Sequence, residues 1–139
     1  MRLDHMAWTD VDGHVARGAA VLLPVGSTEQ HGPMGRIGTD TICATAVALD
    51  AARACGALVA PPLAYTPAPF NTGFPGTVSV SEPVFKVYAG EVVGGLLDQG
   101  FLGDFVVNGH GANLAPLRAL AAELGAARNK IHSWRGGAE

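Results

Sequence analysis

The sequence lacks a basic tract. Nine lysines and arginines are scattered among twelve acids, for a net charge of −3 over 139 residues. A phosphate-binding face needs clustered positive charge, so nucleic acid is not an expected partner. Charge of either sign is sparse, at 15% of residues. With many Gly and Ala, that fits a chain that buries surface against copies of itself as a homo-oligomer. No apolar stretch reaches the ~20 residues that span a bilayer, so no membrane association is expected. Cysteine is nearly absent. Cys43 and Cys55 fall in one predicted helix, about 18 Å apart along its axis, beyond the reach of a disulfide. They are expected to be reduced core residues of a cytoplasmic protein. The opening MRLDHMAWTDVDG has no apolar h-region and predicts no signal peptide. Despite nineteen glycines, neither G-x-x-x-x-G-K-[ST] nor G-x-G-x-x-G occurs, which argues against a nucleotide-binding phosphate loop.

What is present is apolar: 48% of residues are hydrophobic, enough for a core without disulfides. A chain this size buries roughly two thirds of its extended surface. Trp8 to Arg17 reads as a short helix. Ala19 to Val25 is an apolar run bounded by glycines, a strand. Thr39 or Asp40 opens a helix that Gly56 closes. Ala57 to Ala60 is a second strand, stopped by Pro61-Pro62. The segment YTPAPFNTGFPG (65–76) is a loop. Ser79 or Ser81 caps a helix running to Gln99, with Phe85, Ala89, Val92 and Leu96 on one face. Asp104 to Val107 is a third strand, Asn113 starts another helix, and Lys130 to Trp134 reads as a fourth strand. Alternating strands and helices predict an α/β, three-layer fold: a mostly parallel sheet of about four strands with helices on both faces.

Two polar clusters interrupt this pattern, each just past the carboxyl end of a strand. Ligands of such sheets sit there. The first is Glu29-Gln30-His31. In extended chain, residues i and i+2 point the same way, so Glu29 and His31 face one point together. Asp40 follows near a helix N-terminus, where the dipole favours a carboxylate. The second cluster is Asn108-Gly109-His110-Gly111-Ala112-Asn113, in which Gly109 and Gly111 let the backbone approach closely beside His110. Two imidazoles and two carboxylates on one sheet edge make a mixed N/O set that suits Zn²⁺, Mn²⁺ or Fe²⁺. Asn108 and Asn113 either orient these ligands or close a turn and cap a helix. Phe70 and Phe74 either wall a substrate pocket or pack into the core.

The motifs PVGSTEQHGP (24–33), GTD (38–40), FPGTVSV (74–80) and VNGHGAN (107–113), in this order, resemble the creatininase family of metal-dependent amidohydrolases. The resemblance implies a creatininase-like α/β domain over 1–139, the N-terminal portion of the full family domain. It also implies a cytosolic hexamer that holds one or two ions of zinc, manganese or iron. The implied activity is hydrolysis of C–N bonds in linear or cyclic amides by metal-activated water, on a small-molecule amide substrate. On the matching positions, Glu29, His31, Asp40 and His110 fall on the family's metal ligands. Three features depart from the pattern. Met34 stands where many members carry histidine. Ala112 stands where creatininase carries a glutamate that serves a second metal. Full-length relatives also continue past position 139 with a His…Glu motif, which suggests a truncated product and places the general acid outside this chain. The resemblance therefore leaves a runner-up: a non-catalytic homologue that folds and associates with itself or with an intact relative.

Overall fold

The computed structural model describes residues 1–128. Its core is the strand Val21–Val25 (β1), in which all five residues are buried. A strand that is apolar on both faces needs cover on both faces, and β1 receives it. It is the middle strand of a parallel sheet, between Leu58–Val59 (β2) and Asp104–Asn108 (β3). Pro24 has no N–H to contribute to a ladder. The pairing with β2 accordingly involves only Val21 and Leu22, whereas β3 pairs along all five residues. Backbone pairing at Arg2 and Met1 continues the sheet beyond Val59.

The helices divide between the two faces. Thr39–Cys55 (α2) lays Ala44, Ala48 and Ala52 on one side, the last two against Leu22, Ala57 and Val59. Small side chains at every fourth position let this helix sit close to the strands. Glu82–Asp98 (α3) buries Phe85, Ala89 and Val93 against the opposite face, formed by Val21, Leu23, Val25 and Leu58. Leu114–Arg128 (α4) adds Leu120, with Leu117 and Leu124 packed alongside. Trp8–Ala16 (α1) contributes Val11 and Val15. The three-layer α/β reading therefore holds, with three strands among the described residues. The expected strand at Lys130 to Trp134 lies outside them.

Several local expectations need correcting. Cys43 and Cys55 are exposed, not core residues. The buried ridge of α2 runs through the alanines at i, i+4 and i+8, and both cysteines fall off it. Ser81 occupies the N-cap of α3 but makes no capping hydrogen bond. Ser79 Oγ instead accepts a bond from the Ala68 N–H. The helix end that was expected at Gly56 is present: its φ is +74° and its N–H bonds Ala52 O. Among the described residues no helix is long and apolar enough to cross a membrane.

The chain leaves β1 toward β2 by way of α2, then returns by α3 to β3 on the other side of β1. The crevice beyond the carboxyl ends of β1 and β3 is thus the switch point of the sheet, where open α/β folds bind ligands.

Candidate metal centre

Both polar clusters open into that crevice. Gly26 ends β1 hard against α2: a Cβ there would lie 2.3 Å from Thr41 Cα. Glu29 N–H bonds Ile37 O, which folds the intervening loop back on itself. Asp40 enters as the second residue of α2 and is buried, like Glu29. After β3, Gly109 crosses the start of α2 so closely that a Cβ would meet Asp40 O at 2.5 Å. Gly111 behaves differently from expectation. Nothing lies within 4 Å of a Cβ placed there, so no close approach requires it.

Asn108 and Asn113 fasten the His110 loop. Asn108 Nδ2 donates to His110 O at 2.8 Å, and Asn108 Oδ1 accepts from His110 N at 3.3 Å. Asn113 is fully buried and donates to Gly26 O at 2.9 Å, tying the loop to the end of β1. It also donates to Asn108 Oδ1 at 3.1 Å.

Glu29, His31 and Asp40 each offer one ligand atom within 4.8 Å of the others. His110 closes on the same two carboxylates. Its Nδ1 lies 2.9 Å from Asp40 Oδ2 and 3.3 Å from Glu29 Oε1. One proton on each ring follows from its neighbour, because a backbone carbonyl can only accept. His110 Nε2 lies 2.9 Å from Pro67 O and must donate to it. His31 Nδ1 likewise donates to Glu29 O at 3.1 Å. The other nitrogen of each ring is aimed at Asp40: Nε2 of His31 lies 2.9 Å from Oδ1, and Nδ1 of His110 lies 2.9 Å from Oδ2. The Glu29 carbonyl, with Asp40 beyond it, also raises the pKa of His31 above the usual imidazole range.

Carboxylates that converge in a buried place repel unless positive charge sits among them. Asp40 Oδ2 is buried and has no hydrogen-bond donor, despite its proximity to His110. Two imidazole nitrogens and two carboxylates are the donor chemistry of Zn²⁺, Mn²⁺ or Fe²⁺. Backbone carbonyls that fix the far ring nitrogen are the usual support of a metal-binding histidine. The residues present therefore fit a divalent ion.

Phe70 and Phe74 project outward, 93% and 53% exposed, so neither is a core residue. Asn71 was not among the residues singled out from the sequence. It lies in a short 3₁₀ turn, Pro69–Asn71, and its Nδ2 donates to Glu29 Oε2 at 2.8 Å. An asparagine in a Pro/Gly-rich loop carries no signal of such a contact, since only the fold brings position 71 to position 29.

The family model "Creatinine amidohydrolase" (Creatininase) matches residues 4–136. The mycofactocin precursor peptide peptidase of Mycolicibacterium smegmatis is 42% identical over 110 residues, covering 75% of this chain and 44% of that protein. The 3-dehydro-scyllo-inosose hydrolase of Thermotoga maritima is 40% identical over 92 residues, covering 66% of this chain and 30% of its own length. The chain thus spans less than half of these curated relatives. The solved structure described as "Creatininase Mn" superposes with a TM-score of 0.81 at 25% identity, over 95% of this chain and 57% of that one. A parallel sheet with its polar loops at the switch point, a family model matched over almost every residue, and a shared backbone lead to one conclusion: the chain belongs to the creatininase family.

Proposed function

We propose that Glu29, His31, Asp40 and His110 bind a divalent metal ion, Zn²⁺, Mn²⁺ or Fe²⁺. We further propose that the chain carries the metal-binding portion of a hydrolase that cleaves amide C–N bonds, including those of cyclic amides, in the manner of creatinine amidohydrolase. The observation that carries the reading is the convergence of one ring nitrogen from each of His31 and His110 on the two oxygens of Asp40. A bound divalent ion supplies an activated water at neutral pH, lowering its pKa from about 16 toward 7, and polarises a carbonyl oxygen.

The chain's own residues do the rest of the positioning. Glu29 and Asp40 provide two negative charges that offset those of the ion. The carbonyls of Glu29 and Pro67 hold the two imidazoles in the tautomer that leaves a lone pair inward. Asn108 and Asn113 hold the backbone of His110 against β1. Phe70 and Phe74, on the loop that reaches Glu29, supply apolar surface beside the mouth for the substrate.

The test is metal content and turnover on the same preparation. The chain is equilibrated with Mn²⁺ or Zn²⁺, dialysed and analysed for bound metal, then assayed on creatinine and small formamides. Bound metal with turnover that Glu29→Gln abolishes supports the reading. Absence of bound metal from the folded protein overturns it.

A second reading is favoured by the open side of the sheet. Leu22, Val47, Ala51, Leu102, Phe105 and Val107 line an apolar groove of about 1100 Å³ beside β3. A non-catalytic homologue that associates with itself or with another family member would cover such a surface. Bound metal without turnover, in a protein that sediments as an oligomer, distinguishes this reading from the first.

A further inference from the structure

Glu29 uses its two carboxylate oxygens differently. Oε1 faces His110 Nδ1. Oε2 accepts from Asn71 Nδ2 at 2.8 Å. Asn71 is itself held by a directional series of hydrogen bonds. Gly32 N–H donates to Gln30 Oε1 at 2.7 Å, which settles which end of the Gln30 amide is nitrogen. Gln30 Nε2 then donates to Asn71 Oδ1 at 2.9 Å, which settles the Asn71 amide in turn. The side-chain polar atom left to Asn71 is the Nδ2 that meets Glu29. The series starts inside the motif that bears Glu29 and His31, passes out to the 65–76 loop, and returns to Glu29.

We propose that Asn71 is a positioning residue: it occupies Glu29 Oε2 so that Oε1 alone is presented to the ion, in one rotamer and at one distance. This rests on the metal reading above. Each donor in the series polarises the next, and a donor held on a carboxylate keeps it oriented. The contact is not needed to fasten the loop. Gln30 N–H already bonds Thr77 Oγ1 at 3.0 Å, and Thr28 pairs with Val78 across the same gap. Loss of Asn71 is therefore expected to leave the loop attached and the carboxylate free to rotate.

Two measurements test this. The first is Mn²⁺ affinity by calorimetry for the unchanged chain and Asn71→Ala. Removal of a residue that orients a metal ligand weakens binding by about tenfold or more. Affinity within about twofold of the unchanged chain overturns the proposal while leaving the metal reading intact. Failure of the unchanged chain to bind any Mn²⁺ sinks both. The second measurement needs no metal. Asn71→Asp places two carboxylates in contact and is expected to melt below Asn71→Ala under mildly alkaline conditions. The exchanged pair, Glu29→Gln with Asn71→Asp, restores one donor facing one acceptor. It is expected to recover at least about 3 °C of that loss, the shift of roughly one net hydrogen bond in a chain of this length. A loop-holding residue with no bond to Glu29 would show no such recovery, and that result rejects the proposal.

Discussion

His110 Nδ1 lies 2.9 Å from Asp40 Oδ2, yet no hydrogen bond joins them. Nε2 of the ring donates to Pro67 O, and Nδ1 meets Oδ2 close in but out of line for a hydrogen bond. Two donor atoms held this close without a hydrogen bond between them are well arranged around a cation. Metal binding should therefore appear as folding stability. At a Mn²⁺ concentration about one hundred times Kd, linkage gives about 2.7 kcal/mol, or about 9 °C in Tm for a chain of this length. Thermal scans with and without Mn²⁺ are expected to show this rise in the unchanged chain. His110→Ala and Asp40→Asn are expected to lose most of it. A rise of the same size in both variants would show that the ion binds elsewhere.

The two glycines that flank His110 should respond in opposite ways. At Gly109 a Cβ would meet Asp40 O at 2.5 Å, with the Ala44 Cβ at 3.2 Å. Neither helix backbone nor strand end can yield freely there. Gly109→Ala is expected to cost about 2 kcal/mol or more, lowering Tm by roughly 7 °C. Gly111→Ala meets nothing within 4 Å and is expected to change Tm by less than about 2 °C. Equal effects would mean that the approach of β3 to α2 is looser than described.

How much of this was legible beforehand differs from residue to residue. Val21 to Val25 is a short apolar run without alternation, followed at once by glycine, as in a strand covered on both faces, so the centre of the sheet could be read from it. The polar clusters were visible because each follows a strand end, and alternation of strands and helices puts those ends on one edge. Asn71 was not visible. Its contact with Glu29 joins positions 42 apart, and the loop that bears it follows no periodicity. Gly111 was misread because glycine next to histidine looks the same whether a neighbouring backbone lies near or not. The cysteines were misread for a related reason. Burial along α2 is decided by the alanine ridge at every fourth residue, and one step along a helix turns a side chain by about 100°.

That correction has its own consequence. Cys43 and Cys55 are both exposed thiols on α2. Both are expected to react with a thiol reagent in the native state, at rates within about tenfold of a free cysteine at the same pH. Titration of the folded protein with a chromogenic disulfide should release two equivalents per chain. Release only after denaturation would return them to the core.

Asp104 opens β3 with both carboxylate oxygens buried and without a hydrogen-bond partner. Burial alone pushes its pKa up to about 7 from an ordinary 3.8. A carboxyl whose folded pKa is raised holds its proton longer in the native state than in the unfolded chain. Its native state is therefore unpenalised below about pH 4 and loses stability as pH climbs through about 7. The full shift corresponds to about 4 kcal/mol, an upper bound that water entering the strand end would reduce. Other groups titrate across the same range, so the quantity to measure is the difference between the unchanged chain and Asp104→Asn. Urea unfolding of both proteins at about pH 5 and pH 8 supplies it. The advantage of Asp104→Asn over the unchanged chain is expected to be larger by about 2 kcal/mol or more at the higher pH than at the lower one, where part of the penalty is already present. A stability difference that stays constant with pH would show that the Asp104 carboxyl titrates normally and that its surroundings are wetter than the packing indicates.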